Sequence, residues 1–335
     1  MRKRSPTDSV SVLALLVGAL LAAPGPAEAQ AVKVRLGSSL SPPALDAITP
    51  YVALERGFLK RYGIEAQVVD FRGDATHLKA LLAGEVDLAV ELGATAAMVT
   101  ASKGAKIRLF MIPQPVTPFH FFARREAAGT LQAMAGKNMA VSGIGAISYH
   151  IPRIVLERSG VDPEKVKYVA LGSPADRFKA LLAGKIDATI VMNIEAAKLD
   201  KHPDVLSLAQ VAKVLPEIPY TFAVAREEYI EKNLDTMHKV TRALIEANRW
   251  IAANKAGTIE IAAKVLKEET PEVIGKAYDL ADPRLWGVNG DLPEAAYTYT
   301  ADFLQKVGYM KDPVPYDKFF DRRFVDRALK ELGRM

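Results

Sequence analysis

Short apolar runs alternate with amphipathic stretches along most of the chain. Runs rich in Val, Ile and Leu read as buried strands: VKVRLGS (32–38), AQVVDF (66–71), VDLAV (86–90), NMAVSG (138–143), VKYVAL (166–171) and IDATIV (186–191). Between them the apolar positions fall at helical spacing. The pattern is also written twice. LKALLAGEVDLAV (78–90) and FKALLAGKIDATI (178–190) are identical at seven of thirteen positions, and VALERG (52–57) has a partner in IVLERSG (154–160). Each half therefore reads strand–helix–strand–helix–strand. Strands alternating with helices imply right-handed crossovers and a mainly parallel sheet in each of two α/β lobes. Local punctuation agrees. Asp74 is the expected N-cap of the first KALLAG helix, Ser173 followed by Pro174 starts the second, and Gly84 and Gly184 end them as left-handed residues.

Two segments break the alternation. IRLFMIPQPVTPFHFFARRE (107–126) carries three prolines and then a short extended run, and PEIPYTFAVARE (216–227) repeats that form. Both read as crossings between lobes, a two-segment hinge. The expected divisions are 1–29, a leader; 30–118, the first part of lobe one; 119–220, lobe two; and 221–335, a return to lobe one with C-terminal helices. Within FHFFAR, alternation puts Phe119 and Phe121 on one face and Phe122 on the other. Met237, Val240, Leu244, Ile245 and Ile251 give a long helix over 234–254, with Trp250 and Trp286 as core residues of the helical tail.

The first 29 residues have the form of a secretory signal peptide. Arg2, Lys3 and Arg4 precede a short apolar run, and Ala27-Glu28-Ala29 fits a cleavage site. The run is too short to span a bilayer. The chain has 44 Lys+Arg and 39 Asp+Glu; without the leader these become 41 and 37, a net of +4. This mild balance, with no basic run interleaved with aromatics, argues against nucleic acid as a partner. Cysteine is absent, which removes disulfides, thiolate metal sites and cysteine nucleophiles. The five histidines share no metal-ligand spacing, and no cofactor is expected.

PYVALERGFLKRYGIEAQVV (50–69), LKALLAGEVDLAV, GKNMAVSGIGAISYHIPRIVLERSGVDPEKVKYVALG (136–172) and FVDRALKELG, in this order and spacing, resemble type 2 periplasmic solute-binding proteins of ABC importers. The similar branch includes sulfonate, nitrate, taurine and thiamine-pyrimidine-precursor binders. The resemblance covers nearly the whole chain after the leader. It implies two Rossmann-like lobes closing on a small solute, a periplasmic location, an inner-membrane permease as partner, a monomer, and no catalytic residues.

In open α/β sheets ligands lie at the carboxyl ends of the strands. The loops expected there are Ser38 to Ser41, containing Ser39 and Leu40; Glu91 to Thr95, containing Gly93 and Ala94; Ser142 to Ser148; and Met192 to Glu195, containing Asn193. SGIGAIS (Ser142, Gly143, Ile144, Gly145, Ala146, Ile147, Ser148) joins small residues to a helix start, a form that suits an anion. The alternative is a tight strand-to-helix turn needing glycine for geometry alone. Many members of the similar family have Ser or Thr in the place of Ala146, so an oxyanion here would rely on backbone N–H groups and Ser148. Glu91, just past a buried strand, could hold an ammonium or hydroxyl of a ligand, cap the backbone, or pair across the lobes. Gln114 and Asn193 are solute contacts or loop-stabilising amides. Asp87 and Asp187, at the opposite ends of their strands, are expected to tie turn N–H groups. Charge and the SGIGAIS turn favour a small sulfonate or carboxylate; Glu91 would admit a zwitterion or an amine-bearing heterocycle. The competing readings are a ligand-binding protein or enzyme of pyrimidine-precursor type, and a sensor module.

Overall fold

The structure is a computed structural model that describes residues 31–144 and 146–335. The expected leader and Gly145 lie outside the described residues. The strands are β1 (Val32–Ser38), β2 (Ile64–Asp70), β3 (Leu88–Gly93), β4 (Ile107–Gln114), β5 (His120–Arg124), β6 (Asn138–Val141), β7 (Lys167–Ala170), β8 (Ala188–Val191), β9 (Val205–Gln210) and β10 (Thr221–Arg226). They form two five-stranded sheets with the orders β2-β1-β3-β10-β4 and β7-β6-β8-β5-β9. The orders correspond strand for strand, so the repeat in the sequence is a repeat of architecture.

The sheets are mixed. β1 runs parallel to β2 and β3, and β6 runs parallel to β7 and β8. The fourth position of each sheet holds an antiparallel strand, β10 in one and β5 in the other. Both are the proline-led segments. Each arrives from the other lobe, so it enters its sheet against the direction set by the crossover helices.

The two KALLAG helices, Asp74–Ala83 and Pro174–Leu182, use their shared text identically. Leu81 and Leu181 are buried, whereas Leu82 and Leu182 are exposed. Gly84 and Gly184 follow with φ of 78° and 70°, a left-handed conformation in which a side chain would be strained. Ser173 caps the second helix by accepting the Asp176 N–H at 3.1 Å. Asp74 does not cap the first: Gly73 holds that place, and the Asp74 carboxylate turns away to accept the Gly93 N–H at 2.9 Å.

Asp87 and Asp187 are structural, but they hold N–H groups of the neighbouring strands and not those of their own turns. Asp87 accepts the N–H of Arg35 at 2.8 Å, and Asp187 accepts that of Asn138 at 2.9 Å. Each thus ties its turn to the neighbouring strand, in the middle of β1 and at the start of β6. An arginine from each antiparallel strand completes the turn: Arg226 donates to the carbonyls of Leu81 and Val86, and Arg124 donates to that of Ile186.

Phe121 packs in the large core and Phe122 in the smaller core on the other face of the second sheet, as alternation requires. The long helix Leu234–Ala253 buries Met237, Val240, Leu244, Ile245 and Ile251 completely. Trp286 is buried, but Trp250 is only partly so and lies under the guanidinium of Arg56 at 4.9 Å. The helical tail also differs from a simple addition to lobe one. Helix Pro271–Leu280 packs against Asn193–Ala196 of the second lobe and touches Leu45–Ala47 of the first. Helix Glu294–Lys306 packs on Ala94–Ser102 and sends Lys306 to Glu157 of the second lobe. No helix among the described residues is long and apolar enough to cross a membrane.

Candidate functional site

The carboxyl ends of β3 and β4 and the amino end of the antiparallel β10 between them meet at Glu91. β3 is buried along its whole length, so a carboxyl near its end has no access to bulk water. Glu91 Oε1 accepts Gln114 Nε2 at 3.0 Å, and Oε2 accepts the Thr221 hydroxyl at 3.0 Å. Pairing explains the meeting: Thr221, the first residue of β10, stands opposite both Gly93 of β3 and Gln114 at the end of β4. Gln114 Nε2 also reaches Thr49 Oγ1 at 3.4 Å, and Thr49 donates to Asn248 Oδ1 at 2.7 Å. Burial pushes the Glu91 carboxyl up to about 8, against the pull of these hydrogen bonds. Among the described residues Glu91 forms no ion pair. The cap and the inter-lobe salt bridge therefore give way to a carboxyl held by neutral partners within its own lobe.

The expected loop from Glu91 to Thr95 does not exist as a loop. β3 continues through Gly93, and a helix begins at Ala94. A Cβ at Gly93 would lie 2.3 Å from Asp74 Oδ2, so a side chain there would displace the carboxylate that accepts the Gly93 N–H. Ala94 donates its N–H to the Tyr220 carbonyl at 3.0 Å, and Thr95 is buried. Ser39 donates its N–H to the Glu91 carbonyl at 3.1 Å, and its hydroxyl meets His77 Nδ1 at 2.9 Å. His77 stacks on Phe71, and burial lowers its pKa to about 4, so the ring is neutral. Leu40, beside Ser39, is partly buried against the core.

The second lobe answers from β8 and β5. Helix Asn193–Ala196 starts directly after Met192, whose N–H goes to Glu195 Oε2 at 3.1 Å. Asn193 Oδ1 lies 2.9 Å from His120 Nε2. An amide oxygen can only accept, so His120 carries its proton on Nε2. This orients the amide, and Asn193 Nδ2 donates to Asp46 Oδ1 of the first lobe at 2.5 Å. The lobes are thus joined by a buried hydrogen bond at the carboxyl ends of both sheets. Asp46 is fully buried, which pushes its carboxyl up to about 7. Tyr220 is buried beside the first cluster, donating its N–H to the Gln114 carbonyl at 3.0 Å; burial first, then the charges of Asp46, Asp74 and Glu91, hold its phenol well above the usual range.

The SGIGAIS turn binds itself. The Ser148 hydroxyl accepts the Ser142 N–H at 2.8 Å and lies 2.6 Å from Ser142 Oγ. Ala146 is the extended N-cap of the helix that starts at Ile147, and Ile144 is 61% exposed. The chain folds Glu91, Gln114, Ser39, Gly93, Ala94 and Thr95 into one neighbourhood, with Met192 and Asn193 on the facing edge. Ser142, Ile144, Ala146, Ile147 and Ser148 follow β6, the neighbour of β8.

Sequence reasoning missed Asp46, Thr49, His120, Tyr220, Thr221 and Arg177. Asp46 had a signal: it is the one charged residue between Ser38 and Glu55. Arg177 had another, since it takes the place in the second KALLAG helix that His77 takes in the first. It is 1% exposed, donates to Thr189 Oγ1 at 3.2 Å and to the Ile190 carbonyl at 3.1 Å, and burial lowers its pKa to about 10. Among the described residues no group of three or more His, Asp or Glu side chains is arranged to hold a metal ion.

Residues 45–257 match the protein family described as NMT1/THI5 like. A Bacillus subtilis (strain 168) protein with the provisional name of binding protein YtlA is 23% identical over 287 residues, 84% of this chain and 86% of that protein. Among solved structures, the alkanesulfonate-binding protein SsuA from Xanthomonas axonopodis pv. citri, bound to MOPS, superposes with a TM-score of 0.73 at 19% identity, over 88% of this chain and 99% of that one. The desulfurization enzyme DSZB superposes with a TM-score of 0.65 at 16% identity, over 90% and 99%. The fold therefore serves both binding proteins and an enzyme.

Proposed function

Because this chain belongs to the NMT1/THI5-like family, we propose that it is the solute-binding component of an ABC importer, exported to the periplasm by its first 29 residues. It captures a small organic solute between its lobes and delivers it, as a monomer, to an inner-membrane permease; it is not an enzyme. The observation that carries this reading is the pair of facing clusters, Glu91–Gln114–Thr221 and Asp46–Asn193–His120, at the carboxyl ends of both sheets. Closure over a solute would form the Asp46–Asn193 bond, so contacts made only in the closed state favour it.

A sulfonate or carboxylate is the first ligand class, supported by the likeness to SsuA and by the small-residue turn at Ser142–Ser148. A second class, an amine- or amidine-bearing solute, is supported by the buried carboxyls of Asp46 and Glu91, one of whose oxygens, Asp46 Oδ2, has no hydrogen-bond partner among the described residues. The two differ in pH dependence. Asp46 and Glu91 titrate near 7 and 8, so they are protonated donors below that range and anions above it. Binding of an anion should weaken as pH rises through 7 to 8, and binding of a cation should strengthen. A thermal-shift screen at pH 6 and pH 9 against sulfonates, carboxylates, amines and pyrimidines tests both. A ligand must raise the melting temperature; no shift with any class would sink the solute-binding reading.

A further inference from the structure

The two oxygens of Asp46 have different fates. Oδ1 takes the Asn193 amide across the lobe boundary at 2.5 Å. Oδ2 is buried and has no hydrogen-bond partner among the described residues. A buried carboxyl oxygen without a donor carries the full cost of its lost hydration, and proteins seldom leave one so. No side chain around it supplies the donor, and the backbone N–H groups of Asn193 and Asp46, though close enough to act on the carboxyl, make no hydrogen bond to Oδ2. The Asn193 amide has one oxygen committed to His120 and its nitrogen to Oδ1. Glu195, whose charge also pushes the Asp46 carboxyl up, is itself a carboxyl with its Oε2 on the Met192 N–H. Asp46 is at the same time the residue that touches the other lobe.

We propose that Asp46 is a specificity-determining residue, whose Oδ2 accepts an N–H from the solute while its Oδ1 holds Asn193. This rests on the solute-binding reading and sharpens it: the solute brings an N–H donor, an amine, amidine or ring amino group, to the first lobe. The same carboxyl then couples recognition to closure. A donor on Oδ2 offsets the burial of Asp46, and only a buried Asp46 meets Asn193. His120 is a positioning residue, since its proton on Nε2 fixes which end of the Asn193 amide faces Asp46.

Isosteric pairs that exchange an amino group for a methyl group isolate the donor: taurine with propane-1-sulfonate, β-alanine with butanoate, and 4-aminopyrimidine with 4-methylpyrimidine. Calorimetric titration of the full mature chain at about pH 8.5, where Asp46 is an anion and its Oδ2 an acceptor, should show the amino member of at least one pair binding about tenfold or more tightly than its partner. Asp46→Asn should abolish that preference, because its amide nitrogen offers a donor where an acceptor is needed. Asn193→Ala should weaken both members of the pair by a similar factor and leave the preference in place. A wild-type preference for the methyl member in every pair that binds overturns the proposal without any variant. So does an Asp46→Asn protein that melts normally and keeps the preference. If no member of any pair binds the wild type, the solute-binding reading fails and this proposal with it, a result distinct from binding without discrimination.

Discussion

Glu91 shows what a single buried carboxyl does to the molecule. Its ordinary value is 4.5, and burial raises it to about 8. Between those values the folded state holds a proton that the unfolded chain has released. Stability must therefore fall as pH rises across that window and level off above it. Asp46, raised to about 7, acts in the same sense. Glu91→Gln keeps the shape and one acceptor while removing the titration. Relative to wild type, the variant should gain stability between pH 5 and pH 9, by an amount on the order of a few kcal/mol. Urea unfolding of both proteins at the two pH values measures this. A wild-type–variant difference that stays constant with pH would mean that Glu91 is not held protonated.

At the scale of the element, the repeat is a matched set of braces. Asp187 accepts the Asn138 N–H and also Arg124 Nη2 at 3.1 Å. Partial burial pushes this carboxyl up, but those donors together hold it below the usual range. Its contribution is therefore present above the ordinary value of 3.8 and lost as pH falls through the lower folded value. Asp187→Ala should cost about 1–3 kcal/mol near neutral pH, and the cost should shrink in acid; a cost unchanged at low pH would assign it to packing instead. These elements were legible in the sequence because their signals are local. KALLAG ends in a glycine that must be left-handed, Ser173-Pro174 is a helix start, and the Val- and Ile-rich runs give the strands. The antiparallel sense of β5 and β10 was not legible, since it depends on which sheet each strand reaches. The site divides in the same way. Glu91, Gln114 and Asn193 stand out as polar residues at strand ends. Thr221 becomes a partner of Glu91 only through a contact 130 residues long. Asp46 acquires its role from Asn193, 147 residues away.

At the scale of the whole molecule, the lobes are held by more than the two crossing segments. Helices Pro271–Leu280 and Glu294–Lys306 touch both lobes, and Lys198 pairs with Glu269 at 2.6 Å. The opening proposed above would have to slide these helices as well as bend the crossing segments. The strand orders carry a further consequence. Counted along the sequence, the first copy of the repeat runs from β1 to β5 and the second from β6 to β10. Yet β5 lies in the sheet of the second copy, and β10 lies in that of the first between β3 and β4. Each copy gives its last strand to the other, and the arginine on that strand closes the recipient's turn. The protein is in this sense a domain-swapped dimer made covalent by the stretch between β5 and β6. A fragment of residues 31–126 would lack the strand that separates β3 from β4, and its own β5 would have no sheet to enter. Two such fragments can satisfy each other by the same exchange. Light scattering on the isolated fragment should find dimers or larger assemblies, and a folded monomer would rule the exchange out as a condition of folding.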